Sequence, residues 1–162
     1  EPALGAALVA AYVEGVQSKG VAAVVKHFVL NSQEKNRNTA SSDADDRTLW
    51  EVYYPPFEAA VRAGVAAVMC GYNLVNGTYA CGSSHTLQEH LKRDMGFDGF
   101  VMSDWWAVHS DGAASHGVDQ NMPGNDLYFK YISSSQPALA RQMAVRVLRG
   151  MIASSALDTP SC

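Results

Sequence analysis

Val21-Ala22-Ala23-Val24-Val25-Lys26-His27-Phe28-Val29 is a near-continuous apolar run interrupted, close to its end, by a lysine and an imidazole. Strands covered on both faces read this way, because neither side of the pleat meets water. Ahead of it, residues 3–19 carry Leu4, Leu8, Ala11, Tyr12 and Val16 at helical spacing, stopped by Lys19-Gly20. Behind it, residues 31–46 are polar and read as a long surface loop. Residues 47–63 show a helix pattern with Leu49, Val52, Tyr53, Phe57, Ala60 and Val61 facing inward. Pro55-Pro56 must bend or break that helix, since neither donates a backbone hydrogen bond. Residues 65–72 repeat the buried-strand pattern, residues 86–94 form the next helix, closed by Gly96, and residues 97–103 a third strand. Residues 117–122 read as a short fourth strand, and residues 137–153 as an amphipathic helix through Leu139, Met143, Val147 and Ile152.

Strands alternating with helices of this length call for a parallel sheet with right-handed crossovers, so the fold class is α/β. A complete eight-fold β/α barrel takes about 250 residues, and a chain of 162 residues cannot close one. At 48% hydrophobic and 17% charged the chain is a folded domain rather than a linker or disordered tail. A net charge of −4 with no basic run argues against a nucleic-acid partner. No apolar stretch approaches the roughly 18 residues that span a bilayer, which argues against a membrane span. No basic segment followed by an apolar one marks a signal peptide. The three cysteines, Cys70, Cys81 and Cys162, have no zinc-type spacing.

In parallel β/α architectures ligands meet the carboxyl ends of the strands. The first run ends in Lys26-His27-Phe28, the second in Met69-Cys70-Gly71-Tyr72-Asn73, and the third in Ser103-Asp104-Trp105-Trp106. The weaker fourth ends in Asp119-Gln120-Asn121-Met122-Pro123-Gly124. A cation, an imidazole, a phenol and a carboxylate beside an indole would converge on one rim. Such a rim suits a hydroxyl-rich ligand, with polar groups on the hydroxyls and aromatic faces on the apolar side of a sugar ring. By pattern alone Asp104 reads equally as a helix N-cap after a strand. Lys26 reads also as a surface lysine, His27 as a core histidine and Met69 as core filler. No Gly-x-Ser-x-Gly elbow, GxGxxG or GxxxxGK[ST] appears. His85 and His90 lie five apart on a helix pattern and so do not share a face for a metal. No metal or organic cofactor is implied.

The order Lys26-His27-Phe28, Asp45-Asp46-Arg47-Thr48-Leu49, Pro56-Phe57-Glu58-Ala59-Ala60-Val61 resembles glycoside hydrolase family 3. So do Val68-Met69-Cys70-Gly71-Tyr72-Asn73, Gly96-Phe97-Asp98-Gly99-Phe100-Val101-Met102-Ser103-Asp104-Trp105 and the segment 119–124. The resemblance implies a partial (β/α)8 TIM-type barrel, roughly the last four β/α units of the family's first domain. Residues 1–158 would be that incomplete barrel and residues 159–162 the start of an interdomain linker. The first half-barrel would lie before Glu1 and the second α/β domain after Cys162.

The resemblance further implies a retaining β-glucosidase acting through a covalent glycosyl–Asp intermediate on cellobiose or short β-glucans. Asp104 resembles the nucleophile, and Lys26, His27, Met69, Tyr72 and Trp105 the residues that bind the sugar. A Lys26 close to the carboxylate would keep Asp104 ionised. Trp106 has no such match and reads as structural, and Asn73, Asp119 and Met122 as bracing for loops. The loop after Lys26-His27 contains no histidine, unlike the family's N-acetylglucosaminidase branch, and Trp105 stands where its β-xylosidases tend to have Cys. The general acid of the β-glucosidase branch comes from the second domain and has no counterpart here; Glu34, Glu51, Glu58 and Glu89 read as solvated charges. Cys70 and Cys81 are placed like a disulfide pair of secreted fungal-type members, the alternative being two reduced, buried thiols. Asn76-Gly77-Thr78 is an N-glycosylation sequon between them. The protein is then expected to be extracellular and to need no cofactor. Its partners would be a β-glucoside and the remaining parts of its own polypeptide. A β-xylosidase or exo-β-glucanase of the same family, or a catalytically silent half-barrel, are the alternatives.

Overall fold

The computed structural model describes residues 1–124 and 127–158. The expected linker at 159–162 lies outside the described residues. Helix α1 (Pro2–Gln17) starts on Glu1, whose carboxylate accepts from the N–H groups of Ala3 and Leu4. Then come β1 (Val24–Phe28), β2 (Ser41–Ser42), α2 (Asp46–Thr48), a π-helical turn (Leu49–Tyr53) and α3 (Pro55–Arg62). They are followed by β3 (Ala67–Cys70), β4 (Leu74–Val75), β5 (Thr78–Tyr79), a π-helix (His85–Asp94) and β6 (Phe100–Ser103). Short α4 (Gly112–Ser115) and α5 (Ile132–Ser135) precede the long α6 (Pro137–Ala153).

The main sheet has the order β1-β3-β6, all parallel. Val25, Val68 and Val101 share one register row and join the hydrophobic core. One residue further, Lys26, Met69 and Met102 form the next row on the opposite face, as the period of two requires. The register slips between Lys26 and Phe28, where the Lys26–His27 and Phe28–Val29 peptides are both cis. Gln17 closes the other end of the sheet: its Nε2 donates to the Gly64 carbonyl and its Oε1 accepts from the Ala66 N–H, each at 2.9 Å.

The expected fourth strand is reduced to a single bridge between Met102 and Gln120. The Asp119 carboxylate takes the Val101 N–H at 2.9 Å, occupying with a side chain what a continuing ladder would need, and Pro123 has no N–H to extend it. The helix expected over 47–63 is α2, the π-turn and α3 in series. Pro55 and Pro56 do not break it, because they occupy the first turn of α3, where no N–H is needed. The π-turn feeds them in, with the Tyr54 N–H reaching back to the Leu49 carbonyl at 2.8 Å.

A second small sheet, β2-β4-β5, was not anticipated. Its hairpin turns on Asn76-Gly77 with φ of 49° and 79°, the doubly left-handed turn that Asn-Gly favours. Several faces also differ from expectation. Leu4, Leu8 and Tyr12 are exposed, whereas α1 sinks Val13 and packs Val9 and Val16. An Ala-rich helix that is apolar nearly all round has no spacing that selects a face. Val52 and Ile152 are likewise exposed, the first because the π-turn rotates it outward of Leu49 and Tyr54. α6 faces the core through Met143 and Gly150, where an added Cβ would meet the Ala66 carbonyl and the Phe100 ring. Among the described residues, no helix is long and apolar enough to cross a membrane.

Candidate active site

Asp104 stands immediately after β6, its N–H bonded to the Cys70 carbonyl at the end of β3 (3.2 Å). Oδ1 accepts from the Tyr72 hydroxyl at 2.9 Å and from the Trp105 N–H at 2.8 Å. Oδ2 meets His27 Nε2 at 3.0 Å. Three neighbouring strand ends thus converge on one carboxylate whose side chain is 13% exposed. No helix follows Asp104 directly, so it caps none; α4 begins only at Gly112.

An ionised carboxylate only accepts, so His27 Nε2 carries the proton in this pair. Burial lowers the His27 pKa below its usual value, partly offset by the negative charge of Asp104. A neutral imidazole is therefore the native form at neutral pH. Burial, and then the hydrogen bond to Asp104, push the Tyr72 hydroxyl up, keeping it a donor.

Lys26 is exposed and makes no ion pair among the described residues, and it is His27, one residue along, that holds the carboxylate. Lys26 keeps the register row with Met69 and Met102, and the ladder becomes irregular at His27, between Lys26 and Phe28. Lys26 is still close enough for its charge to lower the His27 pKa. Met69 is buried in the middle of that row.

A cleft of about 290 Å³, lined by Arg37, Asn38, Tyr72, Trp105, Trp106 and His109, adjoins the carboxylate through Tyr72 and Trp105. Trp106 is not the structural residue expected: it is exposed, with φ of 62°, and lines this cleft. Arg37 was missed in the sequence. Its guanidinium lies 4.4 Å over the Tyr72 ring and binds Glu34 at 2.7 Å. Nothing in the polar run 31–46 singles it out, since its role comes from how the loop folds back. His109 stacks on Tyr79 at 3.7 Å on the cleft wall.

The segment carrying Tyr72 is held firmly. Cys70 and Cys81 are joined by a disulfide with a Cα–Cα distance of 5.2 Å. Asn73 Nδ2 donates to the Val29 carbonyl at 3.0 Å, pinning the loop to the end of β1. Asn76 is exposed, and its amide exchanges two hydrogen bonds with the Ala44 backbone, at 2.9 and 3.0 Å. Asp119 braces the far side of β6, bonded to Lys92 at 2.7 Å with both side chains almost fully buried.

A carboxylate, an imidazole, a phenol and an indole thus gather at the strand ends of a parallel β/α sheet, where such folds place their ligand sites. The chain belongs to the family described as glycosyl hydrolase family 3 N terminal domain, whose model matches residues 1–123. It is 53% identical over 127 residues to a beta-glucosidase, cel3A, of Pyricularia oryzae, covering 78% of this chain and 18% of that protein. A beta-glucosidase of Rhizobium radiobacter is 54% identical over 126 residues, covering 76% of this chain and 15% of that protein. The crystal structure of a beta-D-glucoside glucohydrolase from Trichoderma reesei superposes with a TM-score of 0.91 at 40% identity, covering 99% of this chain and 24% of that one. The chain therefore spans about a fifth of the length of these relatives.

Proposed function

We propose that this chain is the nucleophile-bearing part of a retaining β-glucosidase and that Asp104 is the nucleophile. The observation that carries the reading is the placement of Asp104 at three strand ends, held by Tyr72, Trp105 and His27. Oδ1 already accepts two hydrogen bonds, whereas Oδ2 accepts one and keeps a lone pair open. Oδ2 is thus the atom that attacks the anomeric carbon of a terminal β-glucosyl unit. The C1–O bond to the leaving group breaks as the Oδ2–C1 ester bond forms, and the leaving oxygen takes a proton from a carboxylic acid. Water then opens the ester, giving its proton back to that group, and the sugar leaves with its configuration retained.

That acid stands about 5–5.5 Å from the nucleophile in retaining enzymes. Glu34, Glu51, Glu58 and Glu89 are each engaged with an Arg or a His, which supports an acid supplied from another part of the polypeptide. Lys26, His27, Met69, Tyr72 and Trp105 would bind the glucosyl unit, with the Trp105 indole against its apolar face. The exposed Lys26, Leu4, Leu8 and Tyr12 support an arrangement in which residues 1–158 are half of a β/α barrel completed by the rest of the polypeptide. The Cys70–Cys81 disulfide supports a secreted protein, with Asn76 a glycosylation site. Cellobiose and short β-glucans are the substrates this reading favours.

Azide rescue of the complete polypeptide tests the assignment. Asp104→Gly should abolish hydrolysis of an activated aryl β-glucoside, and azide should restore turnover by yielding α-glucosyl azide from the vacated face. A β-glucosyl azide would make Asp104 the acid instead and overturn the reading.

A further inference from the structure

His85 and His90 lie together, contrary to the α-helical reading. At about 3.6 residues per turn, positions five apart stand about 140° away from each other around the axis. The segment His85–Asp94 is instead a π-helix, in which residue i meets i+5. Its closing bond runs from the Met95 N–H to the His90 carbonyl at 2.9 Å. The two imidazoles stand 4.1 Å apart between centroids. Asp46, at the start of α2, reaches across to His85 Nε2 at 3.0 Å. One donor atom from each of Asp46, His85 and His90 falls within 4.8 Å of the others.

Each imidazole is oriented from behind. His90 is buried, and its Nδ1 is bonded to the hydroxyl of the buried Tyr54 at 2.9 Å, which leaves Nε2 as the ring nitrogen available to an ion. His85 Nδ1 is bonded to Glu89 at 3.2 Å, which turns its Nε2 toward Asp46. A ring nitrogen fixed by a carboxylate or hydroxyl on its far side is the arrangement that metal-binding histidines use. We propose that Asp46, His85 and His90 bind one divalent transition-metal ion of the zinc type, through one carboxylate oxygen and two imidazole Nε2 atoms. Two imidazoles and one carboxylate select zinc-like ions over magnesium or calcium, which take oxygen donors.

Donors about 2.0–2.2 Å from a tetrahedral zinc ion lie about 3.3–3.6 Å from one another. His85 and Asp46 are half-exposed side chains that can close the remaining distance by small rotations, while His90 stays fixed. The entering ion displaces the proton shared by His85 Nε2 and Asp46, and water completes the coordination. The bound ion would fasten the segment after β2 to the helix that precedes β6, away from the Asp104 rim.

The test is a Zn²⁺ titration of the chelator-stripped complete polypeptide in competition with a chromophoric chelator. The wild type should bind one equivalent that His85→Ala and Asp46→Asn, both at exposed positions, each weaken at least tenfold. Zn-edge anomalous scattering from crystals soaked in Zn²⁺ should place a peak between the three side chains, which includes His90 without altering the core. Equal stoichiometry and affinity in the wild type and both variants, no binding by the wild type, or a peak placed elsewhere only, would each overturn the proposal.

Discussion

The Asp104 rim and the His85–His90 cluster are built from similar side chains by different rules. At the rim, each functional residue follows an apolar strand, and parallel pairing brings neighbouring strand ends together whatever the side chains do. The Cys70–Ser103 pairing of β3 and β6 is enough to put Tyr72 and Asp104 within reach. In the cluster, proximity depends on the helix repeat, and one extra residue per hydrogen-bonded ring decides whether His85 meets His90 or looks away from it. Topology sets the first arrangement, whereas the second needs the local helix repeat together with the side-chain bonds of Tyr54 and Asp46.

The comparison is sharpened most by the rim itself. In the complete polypeptide, Asp104→Asn should lower kcat by about 10⁴-fold or more, as loss of a covalent nucleophile does elsewhere. A modest loss, measured with an aryl β-glucoside, would remove Asp104 from the chemistry.

The next effect concerns the bolt between the two regions. Lys92 on the π-helix is 6% exposed and paired with Asp119. Burial lowers the Lys92 pKa and raises that of Asp119, while each charge works against the other's shift. Asp119→Ala would leave the ammonium buried with its partner gone and should destabilise by about 3–5 kcal/mol. Denaturant unfolding measures it, and a loss below about 1 kcal/mol would mean that Lys92 escapes to water.

Tyr72→Phe and Tyr54→Phe remove one hydroxyl from each region. The first takes a donor from a charged acceptor, a loss of about 1.5–3 kcal/mol, and should lower kcat/KM by about 10- to 100-fold with little effect on stability. The second leaves His90 Nδ1 buried without its partner and should cost about 1–3 kcal/mol of stability while leaving kcat nearly unchanged. If the two variants gave the same phenotype, the distinction between a chemical and a structural site would fail.

The smallest effect is a titration. His27 should titrate below its ordinary value of about 6.5, and Asp104→Asn should lower it further, because the carboxylate opposes the effect of burial. Since the folded pKa is the lower one, the contribution of His27 to stability is complete above about pH 6.5 and is lost as pH falls through the folded value. A rise in the His27 pKa in the variant would show that the Asp104 carboxylate does not oppose the effect of burial.

The sheet was legible because β1, β3 and β6 are apolar runs with polar ends, and α6 because Met143 and Val147 keep helical spacing. The meeting of His27, Tyr72 and Asp104 followed from the strand-end rule and from the family resemblance. Other features depended on contacts that no local pattern carries. His27 meets Asp104 beside a ladder irregularity that no spacing announces, and Arg37 reaches Tyr72 because its loop folds back. The β4–β5 hairpin did carry a signal, Asn76-Gly77 between paired residues, which was read only as part of a sequon. The π-helix carried none: Leu87 and Leu91 at spacing four suit an α-helix equally well, so the one fact that unites His85 with His90 was invisible.

The central claim is that Asp104 forms the covalent bond to the sugar. Incubating the complete polypeptide with a slowly turned-over 2-fluoro-β-glucoside and mapping the modified peptide by mass spectrometry addresses it directly. The account predicts one 2-fluoroglucosyl group per chain, on Asp104 in the peptide that contains Ser103-Asp104-Trp105. A label on any other carboxylate would contradict it.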